Sequence, residues 1–131
     1  MKKISFVLGL SMLFFACSSE QKVEIGQKTK IAIEPVFDAG KVLLGEEVSA
    51  SFTVTNEGDY PLIISEVKGS CSCTVADYPE EPIAPGEKGE IKATVKTENA
   101  SVGKLAKEVR LVANTEPSIT ILRIHAEVMR K

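Results

Sequence analysis

The sequence predicts an all-β fold, an immunoglobulin-like antiparallel β-sandwich of about seven strands, on three observations. Apolar and polar residues alternate with a period of two along most of the chain after residue 30. Turn residues punctuate these runs at intervals of about 8–12 residues, the spacing of a sandwich. Beyond the N-terminal leader, no window of about 11 residues carries the 3.6-residue apolar period of a helix.

The elements follow in order from residue 31. Pro35 falls in the first extended segment and marks it as an edge or bulged strand, because proline brings no N–H to a ladder. Val48-Ser49-Ala50-Ser51-Phe52-Thr53-Val54-Thr55 alternates without a fault, one face for the core and one for water. Asn56-Glu57-Gly58-Asp59 reads as a turn with residues that tolerate positive φ, and Pro61 starts the next strand, Leu62-Ile63-Ile64. Pro85-Gly86-Glu87 turns into the strand that carries Ile91-Lys92-Ala93-Thr94-Val95-Lys96. Val102-Gly103 leads toward Val109–Ala113, and Asn114–Pro117 leads to a last strand, Ile119–Met129. There Thr120, Leu122, Ile124, Ala126 and Val128 share one side, with Ile121, Arg123, His125 and Glu127 on the other.

The first residues do not belong to this pattern. Lys2 and Lys3 precede an apolar run, Ile4–Ala16, interrupted only by Ser5, Gly9 and Ser11. A transmembrane helix needs about 20 residues, whereas a signal-peptide apolar region takes about 7–15. Leu13-Phe14-Phe15-Ala16-Cys17, followed at once by polar residues, resembles the lipobox of bacterial lipoproteins, although Phe14 and Phe15 are bulkier than the usual middle residues. The resemblance implies cleavage after residue 16 and acylation of Cys17. An ordinary secretory signal with a cysteine near its end is the alternative.

The expected organisation is a signal peptide over 1–16, a lipid-anchored flexible tether over 17–30 and one domain over 31–131. Removing residues 1–16 leaves 14 basic and 18 acidic side chains. That balance argues against a nucleic-acid surface and against an electrostatic grip on anionic lipid. With no tryptophan, the core must come from Val, Ile, Leu and Phe.

Taken together, Phe37–Val42, Gly45-Glu46, Asn56-Glu57-Gly58-Asp59-Tyr60-Pro61-Leu62, Ser70-Cys71-Ser72-Cys73-Thr74 and Pro82–Gly89 resemble a widespread bacterial family. It comprises secreted and lipid-anchored Ig-like domains, the domain of unknown function 1573 type. Ig-like domains of cilium, centrosome and sperm structural proteins are similar in outline. The resemblance implies the fold and an envelope location, and brings no activity. Ser72 stands where that family commonly has glycine.

Chemistry concentrates at Cys71-Ser72-Cys73. Residues two apart on a regular strand have Cα atoms about 6.5–7 Å apart, at the upper limit for a disulfide, so a bridge there would need a bend and would close almost no loop. Three readings stay open: a structural pair, a labile redox pair, and a soft-metal site for copper or part of a zinc shell. A single histidine and the lack of a third cysteine in the mature domain count against a closed zinc site. His125 reads as a surface residue, and Lys68 is the nearest cation in sequence able to lower a thiol pKa.

No hydrolytic constellation is legible, since Ser70, Ser72 and Thr74 have no base in sequence context. Asp77–Pro82 lacks the spaced ligands of a calcium loop and reads as a stiff acidic surface loop. Asn99-Ala100-Ser101 has the form of a glycosylation acceptor in an ordinary loop. The expectation is a non-enzymatic, cofactor-free envelope lipoprotein that acts as a protein-binding or assembly module; Pro35 blunts one sheet edge, which leaves the other edge as the candidate for a partner strand. Thiol redox or copper handling through Cys71 and Cys73 is the alternative.

Overall fold

The computed structural model describes residues 26–70 and 74–131. The expected signal peptide, Cys17 and the pair Cys71 and Cys73 lie outside these residues. Among the described residues there are eight strands and no helix: β1 (Ile31–Ile33), β2 (Val36–Leu43), β3 (Glu47–Asn56), β4 (Ile64–Gly69), β5 (Thr74–Asp77), β6 (Lys88–Lys96), β7 (Gly103–Ala113) and β8 (Ile119–Met129). They form two four-stranded sheets in the orders β1-β3-β6-β5 and β2-β8-β7-β4. This is the division of an immunoglobulin-like sandwich, with the first strand shared between both sheets.

That sharing is where Pro35 matters. The first extended segment is two strands: β1 pairs antiparallel with β3, and after Glu34-Pro35 the chain crosses to pair with β8 as β2. The Pro35 carbonyl accepts from Arg123 N at 2.7 Å, so the crossing residue already belongs to the second sheet. Splitting this segment raises the strand number above the expected seven. The β2–β8 pair is parallel, an exception to the antiparallel pattern expected. Its register shifts between Asp38 and Lys41, where Gly40 takes φ 68° and its N–H donates to Asp38 Oδ1 at 2.8 Å.

The alternation read from the sequence becomes the core. Val48, Ala50, Phe52 and Val54 of β3 face Leu122, Ile124, Ala126 and Val128 of β8 across the sandwich, and Ile91, Ala93 and Val95 of β6 join Val109, Leu111 and Ala113 of β7. Leu62, expected to open a strand, instead pairs with Ile83 in an isolated bridge, and the strand begins at Ile64. The short stretch between is another crossing from one sheet to the other, since Ile64 pairs with Ala113.

Two asparagines close the pole where the chain enters. Asn56 is fully buried: its Oδ1 accepts from Thr29 Oγ1 (2.6 Å) and Gly58 N (3.1 Å), and its Nδ2 donates to the carbonyls of Tyr60 (2.7 Å) and Ile83 (2.9 Å). Asn114 Oδ1 accepts from Ile63 N at 2.7 Å, and its Nδ2 donates to the carbonyls of Gln27 (3.1 Å) and Pro61 (2.9 Å). Thr29 also bridges Thr115, so the fold takes hold of the chain from residue 29. Neither Asn56 nor Gly58 adopts positive φ. Glycine is required at 58 for another reason: a Cβ there would lie 2.0 Å from Thr29 Oγ1 and 2.6 Å from Lys30 N.

Replacing Asn56 by alanine removes all four of these hydrogen bonds; the Ile83 carbonyl keeps Leu62 N as a donor, while the Tyr60 carbonyl, Gly58 N–H and Thr29 hydroxyl lose this partner. At about 1–3 kcal/mol for each unsatisfied group, with partial relaxation, Asn56→Ala is expected to lower stability by about 2–4 kcal/mol, read as a shifted midpoint in urea unfolding.

Candidate sheet-edge site

Edges are where a sandwich has main-chain groups to offer. The rim of β3 that faces away from β6 is covered only in part. β1 pairs with Asn56, Thr55 and Val54 and then leaves, while β3 runs on to Glu47. Asn56 N donates toward β6, to Glu87 O (3.0 Å), and Glu57 N donates toward β1, to Lys30 O (2.8 Å). Main-chain direction alternates along a strand. The N–H and C=O of Ser51 and Ser49 therefore face the vacated lane beyond β1, where no main chain among the described residues pairs with them. Their side chains are exposed, and Ser51 Oγ donates to Glu90.

The opposite sheet overhangs this lane. β2 lies at the level the lane occupies, as the Phe37 ring meets Phe52 of β3 edge-on at 6.3 Å between centroids. Phe37, Ala39 and Val42 point inward and pack on the core, yet they are only half-buried, whereas Ile124 and Val128 beside them on β8 are fully buried. The difference follows from the strand order: β2 is the outermost strand of its sheet, with β8 as its one neighbour there, and it pairs from Val36, after β1 has left β3 at Ile33. The site is a one-strand-wide gap with polar main chain on one wall and apolar side chains as its roof.

The other sequence candidates are placed unevenly. β4 ends at Gly69 in one sheet and β5 begins at Thr74 in the other, and the two ends are in contact: a Cβ on Gly69 would lie 2.4 Å from Thr74 Cβ. Ser70 is tied to β7, its N–H donating to Glu108 O (2.8 Å) and its Oγ accepting from Glu108 N (3.3 Å). Lys68 stands beside Arg110 in register, so two cations occupy this corner rather than the single one read from sequence. The thiols of Cys71 and Cys73 themselves are outside the described residues.

His125 does sit on the outward side of β8, half-buried, beside Asp38 on β2 and Ala106 on β7. It lines a shallow hollow of about 580 Å³ together with Asp38, Lys41, Lys104 and Glu127. The hollow's two carboxylates offset its two ammonium groups, and no group of three or more potential metal ligands is gathered among the described residues. In the Asp77–Pro82 loop the acids are exposed, while Tyr78 packs on the core. The alternation of β3 was visible in the sequence. The lane beside it was not, because its existence depends on where β1 stops.

No curated protein matches the chain. Among solved structures, a protein of unknown function from Porphyromonas gingivalis W83 is similar, with a TM-score of 0.68 and 18% identity over 83% of this chain. The chain spans 51% of that structure's length. The ASH / PapD-like domain 7 of human CEP192 is similar over 95% of this chain and 99% of its own, with a TM-score of 0.62 and 9% identity. The Vibrio cholerae VesB protease is similar over 74% of this chain and 31% of its own, with a TM-score of 0.62 and 19% identity. At such identities these likenesses establish a common sandwich fold and nothing about activity. A family model matches residues 29–128, the whole sandwich from the buried Thr29 to Val128, and the chain belongs to that family, Protein of unknown function (DUF1573).

Proposed function

We propose that this protein is a non-catalytic module of the bacterial cell envelope, held at a membrane by a lipid on Cys17, that binds another polypeptide chain. The open lane beside β3 carries this reading. Exposed, unpaired main chain on one side and half-covered Phe37, Ala39 and Val42 on the other are what strand addition needs: ladder hydrogen bonds for affinity and an apolar surface for alternate side chains. The Ig-like fold of the DUF1573 family and of the CEP192 domain is compatible with a binding role.

The tether fits the same reading. The chain enters the sandwich at the Asn56 and Asn114 pole, so a lipid on Cys17 holds that pole toward the membrane. The lane runs along the flank and opens sideways, in reach of a chain standing next to the module. Cys17→Ser is expected to move the protein from the membrane fraction to the soluble fraction of broken cells. A variant that stays with the membrane would remove lipid anchoring from the proposal.

Binding at the lane is tested in living cells with the full chain. A photo-crosslinking p-benzoylphenylalanine at position 51 should give a discrete protein adduct under illumination, and the same group at exposed Glu66 on β4 should give far less. Equal adducts from both positions, or none from position 51, would rule out the lane as the binding surface.

The alternative is thiol redox or copper chemistry through Cys71 and Cys73; Lys68, in register with Arg110, is the nearest cation in sequence, and a nearby cation favours thiolate. It parts from the binding reading in one double variant. Cys71→Ser with Cys73→Ser is expected to leave the position-51 adduct at full yield. Loss of that adduct in a protein that still folds would transfer the function to the thiols.

A further inference from the structure

The outward faces of the two sheets differ in kind. On β3 and β6 every outward residue is Ser, Thr, Lys or Glu. The second sheet instead carries a contiguous apolar group on its outer face, made of Val36, Val112, Ile119 and Ile121. Val112 stands opposite Ile119, Ile121 is the next outward residue along β8, and Val36, opposite Arg123, lies diagonally across the β2–β8 pair from Ile121. Val36 and Ile119 are exposed, and none of the four packs against the core. Apolar side chains gathered in one place, with no core to serve, mark an interaction surface.

Cations border this group. Arg110 is in register with Ile121 on one side and with Lys68 on the other, while Arg123 holds Glu108 at 3.4 Å. Lys68 and Arg110 line a shallow hollow of about 240 Å³ together with Ile121, Ser70 and Glu108. Like charges directly opposite one another on neighbouring strands are unfavourable by themselves. An anion seated over both reverses that sign.

Resting on the lipid on Cys17 proposed above, we infer that this end of the second sheet docks on the bilayer that holds the lipid. Val36, Val112, Ile119 and Ile121 enter the boundary between headgroups and acyl chains, and Lys68 and Arg110 reach back to lipid phosphates.

Placement selects lipid as the partner. Thr29 N donates to Asn114 O at 2.8 Å and Thr29 bridges Thr115, so the chain enters beside the β7–β8 turn. That turn closes with Ala113 N donating to Ser118 O, and Val112 with Ile119 is the next pair. The apolar group therefore begins one residue pair from the entering chain. Thr29 is 12 positions after Cys17, a span of at most about 40 Å. A surface held that close meets the bilayer at high effective concentration, so a contact too weak to hold a free protein suffices.

Charge agrees. On this part of the face Lys68, Arg110 and Arg123 stand with Glu66 and Glu108, and Glu66 lies on β4, the last strand of the sheet. The contact therefore rests on apolar burial and needs no anionic lipid, in keeping with the acidic balance of residues 17–131. It stops partway along the face. The rows beyond carry Asp38 beside His125, then Lys41 and Lys104 on either side of Glu127, groups that stay in water. The strands thus rise from the membrane at an angle, and the first sheet, with Ser49 and Ser51 on its rim, turns away from the bilayer.

The chain contains no tryptophan, so a single introduced one reports its own depth. Ile119 and Met129 are both 39% exposed on the outer face of β8, at opposite ends of the strand, which makes them a matched pair. The full-length lipoprotein, as Ile119→Trp or Met129→Trp, is placed in phosphatidylcholine vesicles with or without bromine on the acyl chains. Bromolipid should quench the Ile119→Trp emission about twofold and leave the Met129→Trp emission unchanged. Adding Ile121→Glu should abolish the Ile119→Trp quenching, while the protein still floats with the vesicles and its thermal midpoint moves little.

Equal quenching at the two positions, or none at 119 in protein that floats, overturns the docking and leaves the lipid anchor standing. A protein adduct from p-benzoylphenylalanine at 119 in cells, with Ile119→Trp unquenched, gives the apolar group to a protein partner and overturns the docking too. Protein that fails to float with the vesicles removes the anchor and the docking together.

Discussion

The arrangement of this protein turns on one crossing, where the chain leaves the first sheet at Glu34-Pro35 and joins the second. Lys30 O accepts from Glu57 N, so along β1 the even-numbered residues face β3 and Pro35 faces away; what the ring changes is backbone shape, fixing φ near about −65°, short of a regular strand, and biasing Glu34 toward extended geometry. The pairing of β1 with β3 therefore ends at Ile33, and the Pro35 carbonyl is taken up instead by Arg123 in the other sheet. Everything distinctive about the edge descends from this exchange: β2 becomes a parallel neighbour of β8, the rim at Ser51 and Ser49 stays bare, and Phe37, Ala39 and Val42 are left with an incomplete floor.

An edge that open has to be carried by a frame that does not yield. The two poles supply it by unlike means. At the entry pole, Asn56 and Asn114 reach the backbone of several separate segments each, so the β3–β4 turn, the loop at Ile83 and the incoming chain are locked to one another. At the far pole Thr97 is fully buried, donating to Glu46 O at 2.6 Å and accepting from Gly45 N at 2.9 Å, which fixes the β2–β3 turn, a crossing between the sheets, to the end of β6. Both ends of the lane are thereby held at fixed height relative to β2, the condition for a strand to enter in a single register.

Much of this fold was legible in the sequence because sandwich strands declare themselves by period. Val48–Val54, Ile91–Val95 and Leu122–Val128 bury the face the alternation assigned to the core. What escaped were features created by contacts distant in sequence. Gly58 looked like a positive-φ turn residue and is instead a point where Thr29, 29 positions upstream, presses on the backbone. Asn56 looked like a turn former and is a buried hub, a role that depends on Tyr60, Ile83 and Thr29 arriving around it. Pro35 was read correctly as an edge signal, but sequence alone gave no way to see that the chain would change sheets there. The site was therefore half visible: its Ser49-Ser51 wall lay in a clean alternating run, and its emptiness lay in a pairing that does not occur.

So plain a surface can still be specific. The lane carries few charges of its own, and Ser49 and Ser51 present small hydroxyl side chains to solvent. Discrimination has to come from shape, and here the β2 overhang supplies it. A single strand fits beneath it, whereas a sheet edge with a second layer stacked above is turned away by the volume of β2 itself. Exposed sheet edges are ordinarily an aggregation hazard, since any edge can template another. An edge roofed by the opposite sheet admits only a chain that brings one strand and no layer above it, so the feature that makes the lane a binding site also limits what can bind.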